Sequence, residues 1–238
     1  MHARERTRVN VALPYNIISS STTTLDINDI EAGFVAASYT TPNGNSPAAY
    51  SNNLFVWAGG PDVPWGQSAL ATASAPFGGT SIPGSYSAQP YVVGYSVGPS
   101  VVKQGVTTYP NVCATAAIPP NWDVNQITYF SPAIGITTVQ TTLITFTYSL
   151  PPGFNPNSSG SWIGLWFGNV TPYNLQPLAA APITQTTSSG SAPMTGLGIT
   201  PNGIYTAALF TSGYSTNPAN LALTTIASTV VFQTQSKL

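Results

Sequence analysis

The chain repeats itself, and this constrains its fold more than any other feature. Gly84-Ser-Tyr86-Ser-Ala88-Gln-Pro-Tyr-Val-Val-Gly94-Tyr95-Ser96-Val-Gly-Pro99 aligns without a gap on Gly203-Ile-Tyr205-Thr-Ala207-Ala-Leu-Phe-Thr-Ser-Gly213-Tyr214-Ser215-Thr-Asn-Pro218, with 7 of 16 positions identical at an offset of 119. A second match has an offset of 109. It pairs Phe34–Pro42 with Leu143–Pro151, Leu54–Gly59 with Ile163–Gly168, and Pro64-Trp65 with Pro172-Tyr173. The change of offset reads as an insertion in the Ser/Thr/Gly/Ala stretch 184–198, which is expected to be a loop. The chain is therefore built twice from one unit of about 110 residues, an ordinary domain size. The organisation expected is a charged arm at 1–8, a first unit at 9–118, a second at 119–235 and a terminal tripeptide at 236–238. The join falls near Ile118-Pro119-Pro120-Asn121.

Within each copy the apolar residues recur with period two, the mark of a strand with one buried face. Runs of this kind alternate with turn clusters such as Thr41-Pro42-Asn43-Gly44-Asn45 and Pro151-Pro152-Gly153. The 22 Pro and 21 Gly are spread through the chain and leave little room for long helices. Short strands at this spacing predict an all-β chain of two tandem, sequence-related antiparallel β-sandwich domains.

A face that is apolar in both copies should be the core face. That places Val35, Ala37 and Tyr39 inside with Ile144, Phe146 and Tyr148. It also places Leu54, Val56 and Ala58 inside with Ile163, Leu165 and Phe167, and Tyr86, Ala88, Pro90 and Val92 inside with Tyr205, Ala207, Leu209 and Thr211. Trp57 and Trp166 then fall on the opposite face of their strands. A Trp in a mid-domain strand resembles the immunoglobulin-like and fibronectin-type sandwiches. The resemblance is one of pattern, and no functional residue is carried over from it.

Composition narrows the function classes. Lys and Arg number 5 and Asp and Glu 6, so charged residues are 5% of the chain against about 25% in ordinary domains. The net charge is −1. Neutralising a phosphate backbone requires clustered cations, so no nucleic-acid partner is expected. No run of 18 apolar residues is present, so no membrane insertion by a helix is expected. The single Cys113 cannot form a disulfide within the chain, and at the 119 offset it aligns with Phe232, as a small apolar strand residue.

Groups for catalysis are scarce. His2 is the one histidine, and it lies in the arm. Asp26, Asp29 and Glu31 cluster around Asn28 but lack the EF-hand spacing, and they read as solvated carboxylates at a strand end. The chain is expected to be no enzyme and to hold neither cofactor nor metal.

Two readings of function follow. The first is a structural protein that self-associates, because low charge and uncharged strand edges favour contact between copies. Its products would be filaments, shells or crystalline bodies. The second is a bivalent, lectin-like protein that binds neutral glycans through exposed aromatics, for which Trp57, Trp65, Trp162, Trp166 and Tyr173 are the candidates. An apolar stripe of Val9, Val11, Leu13, Tyr15 and Ile17 predicts that the arm pairs with a sheet edge, either of its own chain or of a neighbour. Its counterpart around Trp122, Val124 and Ile127 should fold back within the chain. Ser236-Lys237-Leu238 matches the tripeptide address of peroxisomal import, so a peroxisomal location is expected in a eukaryotic source and an extracellular or particle-surface one otherwise.

Overall fold

The computed structural model describes residues 10–103 and 105–236. It is nearly all β, with 48% of residues in strands and 4% in helix, arranged as several antiparallel sheets without a closed barrel. No helix among the described residues is long and apolar enough to cross a membrane.

The first half contributes a three-stranded sheet of β2 (Thr24–Glu31), β3 (Phe34–Thr40) and β6 (Gly79–Pro83), in the order β2-β3-β6. It also contributes β4 (Asn53–Ala58), β5 (Ala71–Ser74), β7 (Tyr91–Ser96) and β10 (Val112–Ile118) to a five-stranded sheet. A hairpin of β8 (Val101–Lys103) and β9 (Val106–Thr108) stands apart. The second half mirrors this. Its three-stranded sheet is β12 (Ala133–Val139), β13 (Leu143–Ser149) and β16 (Ser189–Thr195). Its larger sheet takes β14 (Trp162–Phe167), β15 (Ala179–Pro182), β17 (Ile204–Phe210) and β18 (Ile226–Thr234).

The fifth strand of each large sheet comes from the other half. β1 (Tyr15–Thr22) pairs antiparallel with β18, and β11 (Thr128–Phe130) pairs antiparallel with β10. The orders are β1-β18-β17-β14-β15 and β11-β10-β7-β4-β5. Residues 12–22 therefore complete the second half of their own chain, while the charged arm at 1–8 and Val9 of the predicted stripe lie outside the described residues. Leu13 is buried in the second core, its N–H donates to the Val139 carbonyl, and the Tyr15 ring packs beside it. The equivalent segment does the same for the first core, where Ile127 is buried and Trp122 packs. Leu13 and Trp122 are 109 residues apart, so the exchange is reciprocal.

Each half buries one apolar cluster shared by its small and large sheets. Val35, Ala37, Tyr39, Leu54 and Val56 line the first, and Ile144, Phe146, Tyr148, Ile163 and Leu165 the second, as the alternation predicts. Trp57 and Trp166 lie on the opposite face of their strands. They are nevertheless only 1% and 4% exposed, because connecting loops fold over that face and create a second apolar layer. Each indole N–H fastens its own loop: Trp57 Nε1 donates to the Gln67 carbonyl at 3.2 Å and Trp166 Nε1 to the Leu175 carbonyl at 3.1 Å.

Four expectations are corrected by the strand registers and by burial. Ala58 opposes Tyr91 just as Phe167 opposes Tyr205, so the partner of Tyr205 is Tyr91 and not Tyr86. Residues 84–90 are not strand. Ala88 is exposed, and Val92 faces the outer layer while Tyr91, Val93 and Tyr95 face the core. Cys113 occupies a bulge in β10 whose counterpart in β18 is Ala227, at an offset of 114, and not Phe232. Finally, 184–198 is not a plain loop. It carries β16, which pairs along its length with β13 despite Gly190 and Pro193. Ala58 and Phe167 lie beyond the core at the strand ends, and both are exposed.

Candidate functional site

The five aromatics singled out by sequence do not form an open platform. Trp57, Trp162, Trp166 and Tyr173 are buried, and Trp65 is half-buried. Trp162 stacks on Phe210 at 3.8 Å between ring centres and donates from Nε1 to the Ser212 carbonyl at 3.1 Å. These rings are enclosed because strand-flanking loops supply the apolar cover that solvent contact would have denied them.

Trp65 and Tyr173 have a different role. Each follows a proline in the loop after its Trp-bearing strand, and each reaches across to the other half. Trp65 Nε1 donates to the Pro152 carbonyl at 3.0 Å, and its ring meets Phe154 edge-on. Tyr173 stacks on Tyr50, and its hydroxyl accepts from Asn45 Nδ2 at 3.1 Å. Phe154 and Asn45 are 109 residues apart, so these contacts are copies of one another. The backbone comes close at the same two places. Gly44 and Gly153, also 109 apart, both have positive φ (93° and 73°). A Cβ on Gly44 would sit 2.2 Å from Thr171 Cγ2, and one on Gly153 would sit 3.0 Å from Trp65 Nε1. Only glycine meets both demands.

A third contact joins the halves through polar groups. Asn111 Oδ1 accepts from Thr211 Oγ1 at 3.0 Å and Ser212 Oγ at 2.6 Å, while its Nδ2 donates to the Pro99 carbonyl at 2.9 Å. Asn111 and Thr211 are buried, and these bonds keep their polar atoms satisfied. Between this contact and Trp65 lies a cleft of about 420 Å³, with Trp65, Tyr109, Phe154, Asn155, Ser158 and Ser212 in its wall. The cleft combines aromatic faces with neutral hydroxyl and amide groups.

Among the described residues no three His, Cys, Asp or Glu side chains gather as metal ligands. Asp26, Asp29 and Glu31 lie exposed along β2, where Asp29 Oδ1 accepts from the Ile30 N–H at 2.8 Å. His2 lies outside the described residues. Cys113 is fully buried, and burial pushes its thiol up to about 12 from an ordinary 9.0. Such a thiol is not a nucleophile at neutral pH. Of the terminal tripeptide, Ser236 is exposed and exchanges two hydrogen bonds with the Asn202 side chain; Lys237 and Leu238 lie outside the described residues.

The seam was legible in sequence only as a pair of matched Pro-aromatic turns. What the turns touch was not, because Asn45 and Phe154 share no chemistry that a repeat comparison would flag.

No protein-family model and no curated protein matches the chain. Among solved structures it is similar to the purple acid phosphatase PPD1 from yellow lupin (Lupinus luteus) seeds, with a TM-score of 0.24 and 11% identity. That similarity covers 74% of this chain and 34% of the phosphatase chain, and at this level it carries no argument about activity.

Proposed function

We propose that the chain is a non-catalytic structural protein that self-associates into a higher-order assembly, and that it is built as two tandem immunoglobulin-like β-sandwich domains, 9–118 and 119–235. The matched strand orders and the shared cluster between small and large sheets in each half support the sandwich reading. So do two tyrosine corners: the Tyr91 hydroxyl accepts from the Ser87 N–H and the Tyr205 hydroxyl from the Thr200 N–H, both at 2.9 Å.

One observation carries the self-association reading. The surface exposes large apolar side chains, including Ile17 and Ile18, Val102, Leu178 and Phe167, while the whole chain has only 11 charged residues to keep copies apart. Sedimentation and light scattering over a range of concentration test it. The expected mass rises well above 24.7 kDa and persists in high salt, because apolar and backbone contacts are not screened. A monomer at every concentration overturns it.

The cleft beside Trp65 supports a second reading, binding of a neutral glycan. Its test is quenching of tryptophan fluorescence by neutral oligosaccharides, lost in Trp65→Ala.

A further inference from the structure

Every sheet has two edges, and an uncovered edge is a template for pairing with another chain. In the two five-stranded and two three-stranded sheets of this protein, the edges other than β1 are protected one by one. β5 lies against β6 and β15 against β16, so the two sheets of each half close on each other along that side. β16 also carries Pro193, and β6 and β15 end in Pro83 and Pro182. β2 presents Asp26, Asp29 and Glu31, half of the six carboxylates in the chain. The end of β12 is covered by the arm: Ala12 bridges Gln140, and the Thr141 N–H donates to the Val11 carbonyl at 2.9 Å. β11 is three residues long, and its Tyr129 hydroxyl is engaged by the Ile27 N–H.

β1 is tied to the facing sheet only near its ends, where the Tyr15 hydroxyl donates to the Ile136 carbonyl at 2.8 Å and the Thr22 hydroxyl to the Pro132 carbonyl, and its stretch 17–21 has none of these protections. Its eight residues, Tyr-Asn-Ile-Ile-Ser-Ser-Ser-Thr, include neither charge nor proline, and no strand lies on its outer side. Ile17 and Ile18 are 50% and 48% exposed there, next to the bulge that interrupts pairing with β18.

We propose that the outer edge of β1 is the surface that pairs copies in the first, dimeric step of assembly and that its partner is β1 of a second copy, joined antiparallel across a twofold axis into a continuous ten-stranded sheet. Two observations select a second copy as the occupant. The strand is uncharged, so antiparallel self-pairing brings no like charges together in any register. Antiparallel strand addition at a large-sheet edge is also how the two halves of this chain already join, through β1 on β18 and β11 on β10. A second β1 continues that same sheet by one more strand pair. This inference rests on the self-association reading and names its surface.

The test uses the full chain in three forms: wild type, Ile18→Lys with Ser20→Lys, and Phe77→Lys as a control at an exposed apolar site away from β1. Circular dichroism and thermal unfolding first establish that each is folded. Expected is assembly of the wild type and of Phe77→Lys, with association of the double variant weakened about tenfold or more. Assembly of the double variant at wild-type strength overturns the β1 surface and leaves self-association standing. A monomeric wild type overturns both. A second measurement does not depend on how the lysines affect folding. Ser20→Cys, cross-linked with a short bismaleimide, is expected to give a covalent dimer, and Phe77→Cys is not, since the native Cys113 is buried and silent. Equal cross-linking at both sites, or none at Ser20→Cys, overturns the proposal.

Discussion

The Thr22 hydroxyl donates to the Pro132 carbonyl, and this bond joins the two places where the chain crosses between its halves. Thr23 and Pro132 are the same repeat position, 109 residues apart. At Thr23 the chain passes directly from β1, in the second half's large sheet, to β2 in the first half's small sheet. Thr23 is fully buried, and both its N–H and its hydroxyl donate to the Ala227 carbonyl, at 2.9 and 3.0 Å. The second crossing runs from β11 through Pro132 to β12. Two strands thus cross back to back and bind each half to the other.

This crossing predicts that the halves remain together without a covalent link. A protease site introduced at 119–121 and cut in the folded chain is expected to give two fragments that co-elute on size exclusion and separate only in denaturant. Separation in native buffer would show that strand exchange contributes little. Leu13→Ala, which empties the arm's anchor in the second core, is expected to lower the unfolding free energy by about 2–5 kcal/mol in urea titration.

The seam glycines give a graded pair. Gly44→Ala and Gly153→Ala both force a side chain into positive φ, but the new methyl group meets Thr171 at 2.2 Å in the first and Trp65 at 3.0 Å in the second. Each is expected to destabilise by about 1–3 kcal/mol, with Gly44→Ala the worse. Thr171→Ser beside Gly44→Ala should recover part of the loss, because it removes the methyl that clashes. Denaturation midpoints read both effects.

Tyr39 and Tyr148 occupy one repeat position with opposite polar environments. The Tyr39 hydroxyl is buried without a partner, whereas the Tyr148 hydroxyl donates toward Gln185 Oε1 at 2.9 Å and the Thr187 carbonyl at 3.2 Å. Tyr39→Phe is therefore expected to be neutral or stabilising, and Tyr148→Phe to cost about 0.5–1.5 kcal/mol. Equal losses at both sites in chemical denaturation would contradict this account.

Stability is expected to fall in alkali. Burial pushes the Tyr39 and Tyr86 phenols up to about 12 from 10.0, with the neighbouring Tyr91 adding to the effect on Tyr86, and pushes the Cys113 thiol up to about 12 from 9.0. In the unfolded chain these groups ionise near their ordinary values, so the unfolded state releases protons first. Their contribution is complete below about pH 9 and is lost as pH rises toward 12. Urea midpoints at pH 8, 10 and 11 should decline in that order. Cys113 should resist a disulfide-forming thiol reagent at pH 8 until the chain is denatured.

The sequence by itself determined the all-β class and the core faces of the best-matched strands. Period two dictates which side chains share a face, and comparison of copies shows which face stays apolar. That logic placed Tyr39 with Tyr148 inside and Trp57 with Trp166 on the other side. It failed at Tyr86, where a local Gly-x-Tyr-x-Ala likeness competed with Tyr91 five residues on. Only cross-strand pairing with Ala58 fixes the register there. It failed at β16 too, whose Gly, Ser and Pro have no strand preference and which is a strand because β13 offers it a partner. The tertiary structure alone decided that the outer-face tryptophans are covered and that Trp65 and Tyr173 reach the opposite half. It also decided that β1 completes a sheet about 210 residues away in sequence. Such pairings depend on which edge the folded chain brings near, and no local pattern of residues encodes that distance.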